Sequence, residues 1–381
     1  MRSAPSPHPV VAAAAAMVPM VEAAAEEIET EGRLPAAIVE RLTETGLYHL
    51  FLPRTAGGPE VDPISALLAI ETLARADGSV AWCAQVSSAN AWQFAALAPD
   101  VVAEMLAPPA RASFSGSARP LGSARPVKGG YIVNGRWDFA SNCLHAGWYC
   151  GTCVLDGEDG RRRARSLFMP ISAGEIVPTW QVAGLRGSGS HDFAVEELFV
   201  PEERAAAGRH LAAQTGPLYR QRLTMVANWA PTAGVSLGLA RAAIDVFTEM
   251  SSQGTANVVD IPLRDRADVQ DAVGRAEAML GAARSYCLDA AAAVWEAIDG
   301  DDLDALIRAA RLAITHAMHT AVQVVTLLFQ AGGTRSIFNR AGLERRFRDA
   351  YVAVQHGAGS PSHFKAGGRL VLGLPAGAPF W

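Results

Sequence analysis

Residues 130–148 of the 381-residue chain have the sequence GYIVNGRWDFASNCLHAGW, which predicts two strands that end in a cluster of functional groups. The first residues, YIV, favour a strand. Asn134-Gly135 is the strongest short signal for a hairpin, since both central positions of a type I′ turn need positive φ. Trp137 and Phe139 then alternate with other residues, as in a half-buried strand. We therefore expect a hairpin that turns at Asn134-Gly135.

Small polar residues follow this hairpin directly: Ser141, Asn142, Cys143 and His145. Aromatic walls beside a few hydrogen-bonding groups are typical of a site for a flat, ring-shaped ligand. The alternative is a hairpin whose aromatic residues pack a core while its polar residues cap the strand ends. The local pattern leaves both interpretations open.

The overall composition argues against nucleic-acid and membrane partners. Half of the residues are hydrophobic, 19% are charged, and the formal net charge is −5. No stripe of Lys and Arg interleaves with aromatic residues, so no nucleic-acid partner is expected. No run approaches the roughly 20 apolar residues that cross a bilayer. The alanine-rich residues 10–25 resemble a secretory segment, but the acidic residues after them favour the first helix of a folded domain.

The five cysteines form no disulfide framework, which favours a reducing cytoplasm. Cys150 and Cys153 form a C-x-x-C pair. They lie in a strand-like run, however, where positions i and i+3 point to opposite faces. A single pair of this kind is weak evidence for zinc. We expect no metal site.

The hydrophobic period divides the chain into three predicted domains. Residues 1–110 have a helical pattern, in which Gly46 ends one helix and Asp77 caps another. Residues 111–205 contain short strands separated by Gly, Asn and Pro, which predicts a compact antiparallel β-barrel or sandwich. Residues 206–381 return to long apolar helices, which predicts a four-helix bundle with an irregular tail from Gly357.

This order of helices, small β domain and helical bundle resembles the acyl-CoA dehydrogenase superfamily over nearly the whole chain. Three segments carry the resemblance: LTETGLYHLFLPRTAGGPEVD at 42–62, ETLARADGSVAW at 71–82 and GLRGSGSHDFAVEELFVPEER at 184–204. The last contains two glycines in a G-x-G spacing, but it lacks the third glycine and the βαβ unit of a dinucleotide-binding fingerprint. The resemblance implies an α+β fold of the acyl-CoA dehydrogenase type.

Within the superfamily, the chain is more similar to the oxygenase components of two-component, group D flavin-dependent monooxygenases. WDFAS at 137–141, HAGW at 145–148 and RFRD at 346–349, followed by His356, carry this narrower likeness. The Tyr-Glu-Gly motif that supplies the catalytic carboxylate in many dehydrogenases is missing. Asp349 is the only acidic residue after Glu344, and the resemblance places it in the last helix, away from the reacting face.

The resemblance implies a reaction that uses reduced flavin, either FMN or FAD, delivered by a separate reductase. Oxygen would add at flavin C4a to give a hydroperoxide, which the pocket keeps from water while a small aromatic or cyclic substrate is oxygenated. The family's usual homotetramer would complete the site. One alternative is a dehydrogenase or oxidase acting on a CoA thioester, possibly with oxygenation, with Glu249 as a conceivable base. Another is a non-catalytic scaffold.

The same resemblance assigns the site residues. Ser141 would face flavin N5, and its alternative is a hydroxyl that bonds its own backbone. His356 would orient or deprotonate a substrate hydroxyl, and its alternative is a histidine favoured at a helix C-terminus by the dipole. Trp82 and His145 are candidates to bind the substrate; the alternative favoured for Trp82 is a core residue, and His145 could also contact the flavin or be a hydrogen-bonded core histidine. The residues implied to bind the flavin are Phe114, Ser115, Gly116, Ser117, Trp137, Phe139, Ser141, Gly332 and Gly333.

Overall fold

Along the chain, a group of helices precedes a central sheet and a second group follows it. The computed structural model describes residues 8–107, 113–156, 162–206, 216–220, 223–252, 261–300, 302–339 and 342–377. The first helices are α1 (Pro9–Ala23), α2 (Ala25–Glu31), α3 (Ala36–Glu44), α4 (Pro63–Ala76), α5 (Gly78–Ala91) and α6 (Pro99–Leu106). The strands are β1 (Phe114–Val127), β2 (Gly130–Ala140), β3 (Trp148–Asp156), β4 (Arg162–Pro170), β5 (Glu175–Val177), β6 (His191–Pro201) and β7 (Ala205–Ala206). The later helices are α7 (Thr224–Ser252), α8 (Ala267–Glu296), α9 (Leu303–Ala331), α10 (Leu343–Ala353) and α11 (Ser362–Val371).

Short-range signals in the sequence set the ends of the first helices. Gly46 follows the last turn of α3 with a φ of +74°, which confirms the predicted glycine stop. The Asp77 carboxylate accepts hydrogen bonds from the backbone N–H groups of Ser79 (2.9 Å) and Val80 (3.1 Å), which confirms it as the cap of α5. The start of α5 is thus fixed one turn before Trp82.

The helices at the two ends of the chain share one hydrophobic core. The buried face of α1, which includes Ala14 and Met17, packs on α4, so residues 10–25 contribute to the fold as its first helix. α4 in turn packs along α7, and α7, α8, α9 and α10 pack around one another. α9 is long and apolar enough to cross a membrane, but it lies against α7 and α8, as the core helix of a bundle does.

The sheet confirms the sandwich alternative of the predicted β-barrel or sandwich, but it is mixed and not wholly antiparallel. Its strand order is β5-β6-β2-β1-β3-β4-β7, and β1 runs parallel to β3 while the other neighbours are antiparallel. The parallel pair arises because the chain leaves β2 through the 141–147 segment and re-enters beside β1 in the same direction. The described strands therefore form a sandwich-like layer and not a closed barrel.

The predicted hairpin at Asn134-Gly135 is wrong. β2 runs unbroken through both residues, and the turn lies before it, where Gly129 joins β1 to β2 with a φ of +82°. Gly135 serves packing instead, because a Cβ there would lie 2.8 Å from the Trp137 ring. Gly122 and Gly151 meet the same ring from the neighbouring strands, so three glycines make room for one indole.

The expected irregular tail contains a helix. α11 covers ten residues of it, and Ser362 is its first residue. Two adjacent glycines, Gly367 and Gly368, disfavour a helix in this segment. Gly367 is nevertheless needed where α11 approaches α9, since a Cβ there would lie 2.7 Å from the Leu312 side chain. Buried His363 anchors the same helix through Thr315 of α9, with 2.8 Å between Nδ1 and Oγ1. Tertiary packing therefore overrides the local glycine signal.

Candidate active site

Ser141 lies at the point where β2 leaves the sheet. Phe139 and Asn142 on either side of it have φ values of +57° and +67°, and the register with β6 shifts here. Asn142 holds the bend because its Nδ2 donates to the Phe114 carbonyl (3.1 Å) and its Oδ1 accepts from Tyr48 Oη (3.2 Å). Asn tolerates this backbone region better than most residues. The bend turns the Ser141 side chain toward α5.

The Ser141 hydroxyl belongs to a line of hydrogen bonds, which we call the hydroxyl chain. Trp82 Nε1 donates to Ser141 Oγ (3.0 Å), and Ser141 Oγ lies 2.6 Å from Ser190 Oγ. Ser190 Oγ lies 2.8 Å from Ser188 Oγ, which donates to the Leu185 carbonyl (2.7 Å). All three serines are at least 95% buried. The chain therefore joins the β domain to α5 through three serine hydroxyls and the Trp82 indole N–H.

The loop that carries Ser188 and Ser190 is held at several points. Leu185 and Gly189 have φ values of +51° and +50°, and Asn142 N donates to the Ser188 carbonyl (3.0 Å). Leu185 N donates to Asp349 Oδ1 of α10 (2.6 Å), and Trp180 Nε1 donates to the Leu185 carbonyl (3.0 Å). The G-x-G spacing noted in the sequence thus shapes a loop that presents two hydroxyls.

Asp349 is a buried carboxyl with an unusual acidity. Burial and the nearby Asp77 carboxylate raise the pKa of Asp349 to about 7. It is only 3% exposed and packs beneath the start of α5. It lies in α10 and not in the last helix, which is α11. Its position fits a support for the loop at Leu185 and not a group that meets a ligand.

His356 faces Trp82 from the other side. The two rings meet edge to face, with centroids 5.6 Å apart. Ala358 N donates to His356 Nδ1 (3.2 Å), so the hydrogen of the neutral ring lies on Nε2. Burial lowers the pKa of His356 to about 4, so the ring is neutral at physiological pH. It can donate from Nε2, but with Nδ1 engaged it is a poor base.

Trp82 joins the two predicted catalytic residues. It is 8% exposed, as a core residue would be, and it also contacts both Ser141 and His356. Gln85 lies one turn further along the same face of α5, where its Nε2 donates to the Asn228 carbonyl of α7 (3.2 Å). Gln85 Oε1 and Asn228 Oδ1 are both buried without a hydrogen-bond partner among the described residues.

Phe139 presents an open aromatic surface next to this cluster. Its side chain is 58% exposed although it lies only two residues before buried Ser141. The ring meets Trp180 edge to face, with centroids 6.3 Å apart. An exposed ring beside an ordered hydroxyl suits a planar ligand that stacks on one group and bonds to the other.

Other residues implied by the resemblance lie elsewhere. Trp137 is wholly buried inside the β domain, where its Nε1 donates to the Thr152 carbonyl (2.9 Å), so its ring packs the core. His145 is 5% exposed and its Nε2 accepts from Leu34 N (3.1 Å), which supports the core alternative. Gly332 follows the last residue of α9, and a Cβ there would lie 2.2 Å from Ser336 Oγ, whereas Gly333 is open with a φ of +55°.

The first residues of β1, which the resemblance implies to bind the flavin, run beside α5. The Phe114 ring is buried against Phe94, with centroids 4.5 Å apart, and Ser115 is fully buried with no hydrogen-bond partner for its Oγ among the described residues. A Cβ at Gly116 would lie 2.2 Å from Asn90 Oδ1 of α5. Ser117 is half-buried, and its Oγ accepts from Arg119 N (3.3 Å).

Sequence reasoning missed Ser188, Ser190, Gln85 and Asn228. Ser188 and Ser190 stand two residues apart in a motif that drew notice for its glycines, so the alternating serines were the available signal. In the part of the chain that the structure describes, no group of three or more His, Cys, Asp or Glu could hold a metal ion. Cys150 and Cys153 pack in different clusters, on opposite sheet faces as expected.

Two family models match the helical parts of the chain that precede and follow the sheet. The models "Acyl-CoA dehydrogenase, N-terminal domain" and "Acyl-CoA dehydrogenase, C-terminal domain" match residues 11–110 and 230–361, together more than half of the chain. The chain belongs to the acyl-CoA dehydrogenase family. The agreement covers the helices on both sides of the sheet.

Relatives that match over most of the chain are monooxygenases. The chain is 29% identical to an indole-3-acetate monooxygenase of Pseudomonas putida over 91% of this chain and 89% of that protein. It is 28% identical to the flavin-dependent monooxygenase oxygenase subunit HsaA of Mycobacterium tuberculosis over 97% and 96%. A crystal structure of 3-HSA hydroxylase from Rhodococcus sp. RHA1 matches with a TM-score of 0.87 at 26% identity, over 98% of this chain and 99% of that one.

Proposed function

We propose that this protein is the oxygenase component of a flavin-dependent monooxygenase. It uses reduced flavin from a separate reductase and O2 to oxygenate a small aromatic or cyclic substrate. The observation that carries the proposal is the uncharged cluster of Trp82, Ser141, Ser190 and His356, which offers hydrogen bonds and aromatic surface where a dehydrogenase needs a carboxylate. The names of the relatives support the same activity.

The residues present fit a flavin. Phe139 offers an exposed ring on which the flat ring system can stack, and Ser141 is fixed two residues away. A serine hydroxyl has one donor and two acceptor positions, and its bonds to Trp82 and Ser190 use two of the three. One position is left for the ligand. Bound reduced flavin would supply the electrons that activate O2, and Phe139 and Ser141 would hold its ring.

His356 is proposed to orient the substrate. Its Nε2–H can donate to a substrate oxygen, while Nδ1 stays engaged with Ala358 N. The low pKa of His356 makes it a weak base, so orientation is favoured over deprotonation. The loop that carries it is fixed because Thr315 Oγ1 donates to the Ala358 carbonyl (2.8 Å).

Gln85 and Asn228 are proposed to meet a donor group of the substrate. The Gln85 amide is oriented by its bond to the Asn228 carbonyl, which requires Nε2 on that side and leaves Oε1 as an acceptor. A buried amide oxygen without a partner costs about 1–3 kcal/mol. A ring N–H or O–H would satisfy it, which favours substrates such as phenols or N-heterocycles.

The competing dehydrogenase activity lacks a base in this arrangement. Glu249 is exposed near the end of α7. Asp349 is engaged with Leu185 N and is buried beneath α5. Among the described residues, the groups that contact Ser141 and Trp82 are hydroxyls and rings. Abstraction of a proton next to a thioester therefore has no suitable carboxylate here.

The assembly and location follow as further proposals. We propose a homotetramer in which Gly332-Gly333 approaches the flavin of a neighbouring subunit. In support, Gly333 is open and the nearby side chains of Ile337 and Phe338 are 59% and 49% exposed. Such exposed apolar groups favour burial by another chain. A cytoplasmic location is consistent with the free cysteines. FMN and FAD both remain candidates.

A stopped-flow experiment tests the function. Purified protein is loaded with reduced FMN or FAD without oxygen and then mixed with aerated buffer. We expect a transient absorbance that differs from both the reduced and the oxidised flavin spectrum and that lives longer than in free flavin. Direct conversion to the oxidised spectrum at the rate of free flavin contradicts the proposal. Bleaching of bound oxidised flavin by an acyl-CoA would instead support a dehydrogenase.

A further inference from the structure

The hydroxyl chain has a fixed direction, which follows from the group at its end. The Leu185 carbonyl can only accept, so Ser188 must donate its single hydroxyl hydrogen to it across 2.7 Å. Two oxygens at that distance without a hydrogen between them would repel each other. Ser188 Oγ therefore has no hydrogen left for Ser190 and can only accept from it.

The direction then propagates to Ser141. Ser190 must donate its hydrogen to Ser188 across 2.8 Å, so Ser190 accepts from Ser141 across 2.6 Å. Ser141 thus spends its only hydrogen on Ser190. Trp82 Nε1, which is a donor only, occupies one acceptor position of Ser141. The position that remains on Ser141 Oγ is an acceptor.

This remaining acceptor distinguishes the two redox states of a flavin. Reduced flavin carries a hydrogen on N5 and can donate to Ser141. The bare N5 of oxidised flavin is itself an acceptor and finds no hydrogen there. We propose that Ser188 and Ser190 are positioning residues that keep Ser141 an acceptor and so make the site select reduced over oxidised flavin. The inference rests on the proposed function and adds a structural cause for its choice of cofactor state.

The burial and anchoring of the chain make the direction stable. Ser188 and Ser190 are 1% and 2% exposed, so water does not compete with the bonds between them. The Leu185 carbonyl also accepts from Trp180 Nε1, and Leu185 N is held by Asp349. The Leu185 carbonyl accepts a third hydrogen bond from Ser188 N (3.1 Å), so the acceptor that sets the direction is held in place from several sides.

Binding of both flavin forms tests the proposal. Dissociation constants of reduced and oxidised FAD and FMN are measured without oxygen for the wild type and for Ser190→Ala. In the variant, Ser141 has no serine to donate to and can donate to a bare N5. The preference for reduced flavin is expected to fall on the order of tenfold, because oxidised flavin gains a hydrogen bond from Ser141 while reduced flavin keeps the one that it donates to Ser141. A tenfold change lowers the two-electron potential of bound flavin by about 30 mV.

Three further variants separate positioning from a general structural effect. Ser188→Ala frees the Ser190 hydrogen for Ser141 and should shift the preference in the same direction by a smaller factor. Ser190→Thr keeps a hydroxyl and should keep the wild-type preference. Ser252→Ala is the matched control, since Ser252 is exposed at the end of α7 and its Oγ donates to the Glu249 carbonyl of the same helix. A structural defect alone would weaken the binding of reduced and oxidised flavin equally.

The outcomes distinguish this inference from the proposed function. If the wild type binds neither redox form, the proposed function fails. If it binds reduced flavin but both alanine variants keep the wild-type ratio of the two dissociation constants, only the positioning role is overturned. If Ser190→Ala does not fold, as judged by circular dichroism, the Ser188→Ala ratio decides.

Discussion

Replacing Asp349 with asparagine should remove a pH-dependent cost from the folded state. The Asp349 carboxyl is 3% exposed, and its Oδ1 accepts from Leu185 N at 2.6 Å. Asparagine has the same shape and keeps a carbonyl oxygen for this bond, but it cannot ionise. The substitution therefore changes the charge while it keeps the acceptor that holds the loop of the hydroxyl chain.

The magnitude follows from the pKa. Burial and Asp77 raise the pKa of Asp349 from 3.8 to about 7, which corresponds to at most about 4 kcal/mol at roughly 1.4 kcal/mol per unit. Because the folded pKa lies above the unfolded one, the folded state holds the proton more tightly. The contribution of Asp349 to stability is then complete below the unfolded pKa and is lost as the pH rises through about 7.

Urea unfolding at several pH values measures the effect. At about pH 4 the wild type and Asp349→Asn should be similar in free energy of unfolding, and above about pH 7 the variant should be more stable by up to about 4 kcal/mol. Asp289→Asn, at an exposed position of α8, is the control for loss of one negative charge. Asp349→Ala should be less stable than Asp349→Asn at every pH, because Leu185 N then has no acceptor.

One result would refute this reasoning. If Asp349→Asn is less stable than the wild type above pH 7, the ionised carboxylate is stabilised by its surroundings, and the account of Asp77 and burial is wrong. If wild type and variant keep parallel pH dependences, the pH dependence of stability arises from other groups. Either outcome would also remove the argument that Asp349 acts as a support without charge near neutral pH.

Four further predictions concern the site and the sheet. His356→Gln should retain more turnover than His356→Ala, because an amide can still donate to the substrate; equal loss in a steady-state assay would oppose the orienting role. Since the pKa of His356 is about 4, substrate binding should show no ionisation of this group between about pH 6 and 8, and an ionisation there that His356→Gln abolishes would contradict the neutral ring. Gln85→Leu should raise the KM roughly tenfold for substrates with an N–H or O–H donor and leave their O-methyl or N-methyl analogues unaffected. Gly135→Ala should lower the free energy of unfolding by about 1–3 kcal/mol in chemical denaturation, because its Cβ would lie 2.8 Å from the Trp137 ring and as close to backbone; an unchanged stability would show that the indole can move aside.

The fold was predictable from the sequence at the level of element type, and the errors have physical causes. Capping residues such as Asp77 act within one turn, so their role could be inferred locally. Gly135 carried a turn signal, but its reason is the contact with Trp137, which depends on the neighbouring strands. The parallel pairing of β1 and β3 depends on where the chain re-enters the sheet. Gly367 likewise permits close packing of α11 on α9 and does not end a helix.

The site was only partly predictable for a related reason. The family resemblance pointed to Ser141 and His356, and the structure brings both to Trp82, Ser141 from the end of β2 and His356 from the segment after α10. Ser188 and Ser190 were missed because a serine gains its role from the acceptor at the end of a chain of bonds, which no spacing encodes. Trp137 was implied as a flavin contact, but as a large buried ring it packs the sheet, while exposed Phe139 remains available.

The same fold can serve dehydrogenation and oxygenation, because the two reactions need different groups at the site. A dehydrogenase needs a charged carboxylate near the substrate, which must be desolvated and held in place. An oxygenase needs a dry site in which nothing donates a proton too early. In this chain the Ser141 hydrogen is committed to Ser190, and His356 is neutral. Trp82 Nε1–H is committed to Ser141 as well. The same bonds that select a reduced flavin thus occupy the donors closest to it, so cofactor selection and protection from protons share one cause.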